Sequence, residues 1–144
     1  FPNNPETNEF ISLILRKFRK KLLNKGYKLK RLGYVWVREA SSDGSIHYHL
    51  VYMVDGNKVQ SSFNLNELLR EVTMFVDSSI NIHYPSKGKN SYKMITRIST
   101  ALFLEVFYWL SYLAKERSKG QKRLMTNDYS ASRFHFQDCP IKND

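Results

Sequence analysis

Two stretches rich in β-branched and aromatic residues, separated by a short polar segment, constrain the fold of this chain most strongly. They are YVWVRE at 34–39 and IHYHLVYMV at 46–54, and the segment between them contains Asp43 and Gly44. β-Branched and aromatic residues favour extended backbone, whereas an Asp-Gly pair favours a tight turn. The pattern therefore predicts a β-hairpin.

The length of the hairpin loop decides which side chains share a face of the sheet. With a two-residue loop, Glu39 would point to the face opposite from His47. With a three-residue loop, 42–44, Glu39 would stand directly opposite His47 on one face. That loop type needs a left-handed residue at its last position, and Gly44 occupies it. The turn chemistry can therefore bring a carboxylate beside an imidazole.

His47 and His49 are two residues apart on the second strand, so they share a face. A bare pair of this kind is commonly two surface histidines. With Glu39 added, the two imidazoles and the carboxylate form a donor set that suits Mg²⁺ or Mn²⁺, and also Zn²⁺ or Fe²⁺. A cupin-type site is disfavoured because residues 50–54 contain no acidic ligand.

The spacing of apolar residues predicts helices before and after the hairpin. In the first helix, Asn4 is the expected cap and Gly26 the expected exit. Helices are expected at 4–26, 64–77 and 97–120, and further strands at 80–84 and 92–95. Together these elements predict one α+β domain over residues 1–144, with an antiparallel central sheet and helices packed on it.

The charge of the chain points to a polyanionic partner. Lys and Arg number 23 against 13 Asp and Glu, a net charge of +10. Much of the excess lies in 16–31, which contains no acid, and in 115–123. A soluble basic protein and an anionic-lipid binder are the other readings, but two basic stretches favour contact with nucleic-acid phosphates. The residues expected to make these contacts are Arg16, Arg19, Lys20, Lys21, Lys28, Lys30, Arg31, Arg117 and Lys119.

Three further features indicate a protein of a reducing compartment that does not enter a membrane. The longest apolar run, 101–114, includes Glu105 and is too short to span a bilayer. The single cysteine, Cys139, cannot form an internal disulfide. No signal-peptide pattern opens the chain.

The last expected helix carries SYLAKERSK, in which Tyr112 and Lys115 are three residues apart and share a face. This spacing alone is common in unrelated helices. Combined with the preceding E-x₇-H-x-H pattern on a basic chain, it resembles the HUH superfamily of replication initiators. The residues in and around these motifs are most similar to those of the inovirus-type replication proteins of the YagK/YfjJ family. The resemblance covers about residues 10–133 and is carried by YVWVREASSDGSIHYHLVYMV and SYLAKERSK.

The resemblance implies an HUH/RRM-like replication-initiator fold and a role for each matching residue. His47 and His49 become metal-binding histidines, and Glu39 becomes the third ligand of a divalent Mg or Mn ion. Tyr112 becomes the nucleophile, and Lys115 becomes a partner of the phosphate or of the metal site. A phenol, with an ordinary pKa of about 10, is a weak nucleophile until it is deprotonated or lies beside positive charge.

The implied activity is site-specific nicking and rejoining of single-stranded DNA through a 5′-phosphotyrosine intermediate. In such relatives this step starts rolling-circle replication of a phage or mobile element in the cytoplasm of a bacterial host. The implied partners are single-stranded DNA, in the form of an origin hairpin, and the host's replication machinery. A non-catalytic single-stranded DNA-binding relative is the alternative, and a metal-dependent RNA nuclease is a third reading that leaves the Y-x-x-K spacing unexplained.

Two departures from the family pattern are visible. Relatives usually carry a strand before the first helix, whereas this chain opens almost at that helix. The chain is therefore either a fragment, or another segment fills that sheet position. In addition, Tyr108 lies one turn before Tyr112, and some relatives use two tyrosines in alternation. Only Tyr112 is followed by a lysine at the right spacing, which favours it as the single nucleophile.

Overall fold

The computed structural model describes residues 7–24, 26–27, 29, 31–41, 43–84, 92–114 and 127–133. Its elements, in chain order, are α1 (Glu9–Asn24), β1 (Gly33–Ala40), β2 (Ile46–Met53), α2 (Phe63–Val76), α3 (Thr100–Ser111), a 3₁₀ turn (Tyr112–Ala114) and β3 (Tyr129–Ala131). The expected α+β class is confirmed.

Helix α1 begins at Glu9, later than the sequence indicates. The carbonyl of Asn8 accepts the first helical hydrogen bond, from the Ser12 amide at 3.2 Å, so Asn8 stands at the cap position. Asn4 lies outside the described residues. The exit is as expected, because Gly26 has a φ of 76°, a left-handed conformation that favours glycine after a helix.

The sheet has the order β2-β1-β3, and both pairs are antiparallel. Strand β3, which has no predicted counterpart, occupies the edge of β1 that β2 leaves open. Two bonds beside the ladder extend this pairing: the Arg38 amide donates to the Asp128 carbonyl at 2.7 Å, and the Ser132 amide donates to the Tyr34 carbonyl at 2.9 Å. Three residues of strand are therefore enough to make β1 the central strand.

The two faces of the sheet differ in what covers them. On one face, Trp36 packs with Ile11 and Leu15 of α1. Leu50 and Tyr52 of β2 pack on the adjoining core between α1 and α2, and the most deeply buried members of that core are Phe18, Leu22, Leu65 and Val72. Because side chains alternate along a strand, the odd-numbered residues of β1 and β2 point to the other face. We call the two sides the helix face and, because neither core cluster of the described residues includes a strand residue from it, the open face.

The strands predicted at 80–84 and 92–95 are wrong, because both segments are irregular. The first is held to α2 by side chains instead of a ladder. The Tyr84 hydroxyl donates to the Asn66 carbonyl at 2.8 Å. Asn66 is also bound by β2, because the Tyr52 hydroxyl donates to its side-chain oxygen at 2.5 Å. Since β2 and β3 already flank β1, its two edges are both taken.

Helix α3 is shorter than predicted. The Ser99 side chain caps it by accepting from the Leu102 amide at 3.3 Å, so Arg97 lies in the preceding turn. The helix ends at Ser111 and runs into the 3₁₀ turn, and Gly120 lies outside the described residues. No residue of α3 is buried. Within the described ranges, no helix is long and apolar enough to cross a membrane.

Candidate metal and DNA-binding site

The hairpin loop contains three residues, as predicted from its chemistry. The Ser41 amide donates to the Ser45 carbonyl at 2.8 Å, and the Gly44 amide donates to the Ser41 carbonyl at 2.9 Å. Gly44 has a φ of 81°, the left-handed conformation that this loop type demands at its last position. The turn therefore sets the register of the whole hairpin.

This register places Glu39 directly opposite His47, and His49 two residues further along β2. All three side chains lie on the open face. The Glu39 carboxylate meets His49, with 3.0 Å between Oε2 and Nε2. The predicted sharing of one face by the carboxylate and both imidazoles is confirmed. The pair is accessible, with the His49 side chain 47% exposed and that of Glu39 25% exposed.

His47 makes a different contact, with the loop. Its Nε2 lies 3.0 Å from the Ser45 hydroxyl oxygen, and that hydroxyl donates to the Asp43 carboxylate at 2.7 Å. Since the hydroxyl has one proton, which goes to Asp43, its oxygen must accept from His47, and Nε2 must carry hydrogen. Hydrogen bonds from the Ser45 amide and hydroxyl lower the pKa of Asp43, and the charge of His47 acts in the same direction.

The donors fit a divalent cation only in part. Among the residues that the structure describes, no three His, Cys, Asp or Glu side chains are close enough together to hold a metal ion. Glu39 and His49 are adjacent, whereas His47 faces Ser45. Binding by all three requires His47 to leave Ser45, His49 to leave Glu39, and each imidazole to offer the ion a nitrogen that carries no hydrogen. The expected metal site therefore stays a prediction.

An aromatic side chain that sequence reasoning missed lies on the same face. Val37 is paired with His49 on one side and with Tyr129 on the other. Val37 is buried, while Tyr129 is 67% exposed. Neighbouring strands are about 4.8 Å apart, so Tyr129 stands roughly 10 Å across the sheet from His49. Only the tertiary pairing of β3 reveals this neighbour, because YSA is too short to show a strand period.

The candidate nucleophile lies at the end of α3. Tyr112 is the first residue of the 3₁₀ turn, and its side chain is 63% exposed. Tyr108, one turn earlier, is 82% exposed. In the described part of the chain, α3 and the 3₁₀ turn form no extended packing with the hairpin. The expected approach of Tyr112 to the histidines stays a prediction, and Lys115 lies outside the described residues.

The basic residues expected to contact DNA divide into three groups. Arg16, Arg19, Lys20 and Arg31 are exposed. Lys21 is bound to Glu71 of α2 in an ion pair, so its charge is already partly neutralised. The remaining members of the set lie outside the described residues: Lys28, Lys30, Arg117 and Lys119.

These features define a basic α+β domain with an antiparallel sheet. The polar side chains Glu39, His47 and His49 lie on the open face of this sheet, and the basic helix α1 packs on the opposite face. The family model of the YagK/YfjJ C-terminal domain matches residues 8–128, and the chain belongs to this family. The matched range includes the hairpin and Tyr112. No curated protein and no solved structure matches the chain.

Proposed function

We propose that this protein nicks and rejoins single-stranded DNA at a specific site, with Tyr112 as the nucleophile. The domain is then an HUH-type replication initiator of the inovirus kind, which starts rolling-circle replication at an origin hairpin in a bacterial host. One observation carries the proposal. The hairpin register brings Glu39 opposite His47 and into contact with His49, in a chain whose family match also spans Tyr112.

The chemistry follows from the groups that this chain offers. The Tyr112 hydroxyl oxygen attacks the phosphorus of a phosphodiester and gives up its proton. The bond from phosphorus to the 3′ oxygen breaks, and that oxygen takes a proton to become a 3′-hydroxyl. The 5′-phosphate stays on Tyr112 as a phosphotyrosine. Attack by the 3′-hydroxyl on this ester reverses the step, so the strand is rejoined without an external energy source.

A divalent Mg or Mn ion, when held by Glu39, His47 and His49, would neutralise the scissile phosphate and orient it. Both imidazoles are exposed, and Glu39 stands opposite His47 and contacts His49, so a phosphate can approach these groups from solvent. Lys115, three residues after Tyr112 in the sequence, would add positive charge beside the phenol. Tyr112, as a residue, is 63% exposed, so DNA can reach it from solvent.

The test is a denaturing gel of the full chain incubated with a labelled library of single-stranded hairpins and Mn²⁺. The expected result is a labelled band shifted by covalently attached protein. Tyr112→Phe should abolish both cleavage and the adduct while leaving the fold intact, since it removes one exposed hydroxyl. Tyr108→Phe is the matched control and should retain most cleavage. An adduct that survives Tyr112→Phe and is lost in Tyr108→Phe would assign the nucleophile to Tyr108.

A non-catalytic single-stranded DNA-binding role is the second candidate. It is favoured by the contact of His47 with Ser45, which keeps the third donor away from Glu39 and His49. The same gel separates the two roles. Binding of the hairpins with neither cleavage nor adduct, in Mg²⁺ and Mn²⁺ alike, would establish the non-catalytic role. Cleavage without an adduct would instead indicate a hydrolytic nuclease.

A further inference from the structure

The outward side of α1 carries a concentrated positive charge. Arg16 and Lys20 are four residues apart and therefore neighbours on one side of the helix, and both are exposed. The opposite side of the helix is the one buried against the core, through Phe18 and Leu22. Glu9, near the helix start, is the single acidic residue in α1. The last two turns therefore present positive charge to solvent with no acidic partner on the same helix.

An exposed aromatic ring lies beside this charge. Phe75, in the last turn of α2, is 77% exposed, and the Lys17 ammonium stands 4.7 Å from its ring centre. Its neighbour Met74 is 49% exposed, and Leu23 of α1 is 55% exposed. An apolar ring held in solvent next to a lysine side chain, on a helix pair with further exposed cations, is a combination that binds unpaired nucleic-acid bases by stacking while the cations bind the phosphates.

This surface lies on the side of the sheet opposite from the hairpin site. Helix α1 packs on the helix face through Trp36, whereas Glu39 and His49 lie on the open face. A helix is about 10–12 Å across with its side chains, so the two surfaces are roughly 20 Å apart through the protein. A strand that rises about 3.4 Å per nucleotide needs at least about six nucleotides to reach from one to the other.

We infer that Arg16, Lys17, Lys20 and Phe75 form a second binding surface for single-stranded DNA, separate from the nicking site. We call it the α1–α2 surface. It binds the strand several nucleotides away from the scissile phosphate, which lies on the open face. It therefore contributes affinity and not chemistry. The inference rests on the proposed function only in taking DNA as the polyanion.

The first test measures binding of the full chain to a fluorescent single-stranded 30-mer, without added metal, at several salt concentrations. The double variant Arg16→Ala/Lys20→Ala should make the slope of log K against log salt shallower by about 1.4, since each lost phosphate contact on single strands contributes about 0.7. The matched control is Lys58→Ala/Arg97→Ala, which removes the same charge from exposed positions outside α1. An equal change in the control, or none in the double variant, would overturn the inference.

The second test addresses the aromatic ring. Phe75→Ala should weaken binding of the single-stranded 30-mer at least about fivefold, because stacking on an exposed base is lost. Binding of a duplex of the same sequence should not change, since its bases are already stacked. Phe63→Ala is the matched control, because Phe63 is also on α2 and 70% exposed. Equal losses for single strand and duplex, or for both variants, would contradict the assignment.

Length dependence separates this surface from the nicking site. The double variant Arg16→Ala/Lys20→Ala should raise the concentration of DNA that gives half-maximal cleavage of the 30-mer. It should not raise it for a substrate of about four nucleotides, which is too short to reach both surfaces. The cleavage rate at saturating DNA should be unchanged with both. If neither the wild type nor any variant forms an adduct, the proposed function fails. The α1–α2 surface is still supported in that case if the double variant has the shallower salt slope. Tighter binding to phosphatidylglycerol vesicles than to the 30-mer, lost in the same double variant, would assign the surface to a membrane and overturn the inference.

Discussion

Replacement of Gly44 by alanine isolates the contribution of the hairpin loop. Gly44 has a φ of 81°, and a Cβ built at this position would meet no atom within 4 Å. The cost is therefore the backbone strain alone, about 1–2 kcal/mol for an L-residue in the left-handed region. The lower entropy of the unfolded alanine chain offsets about 0.4–1 kcal/mol of it. We expect a net loss of about 1 kcal/mol, which lowers the melting temperature by roughly 2–4 °C.

Gly26 offers a matched control, because it has a φ of 76° and equally open surroundings. Gly26→Ala should cost about the same free energy of unfolding, measured by thermal melting followed by circular dichroism. It lies at the exit of α1, so it should leave covalent adduct formation unchanged. Gly44→Ala should reduce adduct formation as well, because it disturbs the register that sets Glu39 opposite His47. Two variants with equal melting temperatures and equal adduct yields would refute the reasoning about the loop.

Three further predictions concern the core, the open face and the loop. Leu65→Ala should lower the free energy of unfolding by about 2–5 kcal/mol, measured by urea denaturation, because Leu65 is 1% exposed; a loss below about 1 kcal/mol would contradict the core assignment. Tyr129→Ala should weaken single-stranded DNA binding and Tyr129→Phe should not, since a phenyl ring preserves stacking; anisotropy measures both, and equal losses would exclude stacking. The Asp43 pKa is held below its ordinary 3.8 by Ser45, so its stabilising contribution is complete above that value and is lost as the pH falls through the lower folded pKa. The melting temperatures of wild type and Asp43→Asn should therefore converge as the pH falls below 3.8, and a gap that persists in acid would contradict this.

Features that depend on a few neighbouring residues could be predicted from the sequence. The chemistry of Asp43 and Gly44 predicted a tight turn and favoured the three-residue loop through Gly44, and the loop length then determined that Glu39 faces His47. Helix α2 was expected at 64–77 and is found at Phe63–Val76, since its apolar spacing is regular. In each case the interactions that decide the structure are local, so tertiary packing had little to overrule.

Features that depend on distant partners could not be predicted. The segment 80–84 has the composition of a strand, yet both edges of β1 are taken by β2 and β3, and Tyr84 bonds to the α2 backbone instead. Whether Lys21 is available to DNA is decided by Glu71, fifty residues away in the sequence. The partner of a side chain depends on all the groups that the fold brings near it. Local spacing in the sequence does not show which distant groups these are.

The sequence by itself determined the α+β class, the hairpin and the placing of His47 and His49 on one face, and it limited the register to two loop lengths, of which Gly44 favoured the one that adds Glu39. The structure decided what spacing left open, namely that His49 and not His47 meets Glu39 across the hairpin, while His47 contacts Ser45 two residues away. It also decided that α1 and the Glu39–His49 pair lie on opposite faces of the sheet. The apolar residues of α1 show that the helix packs on something apolar. The face of the sheet that it covers is decided by the contact of Ile11 and Leu15 with Trp36, which points to the face opposite from Glu39 because side chains alternate along β1.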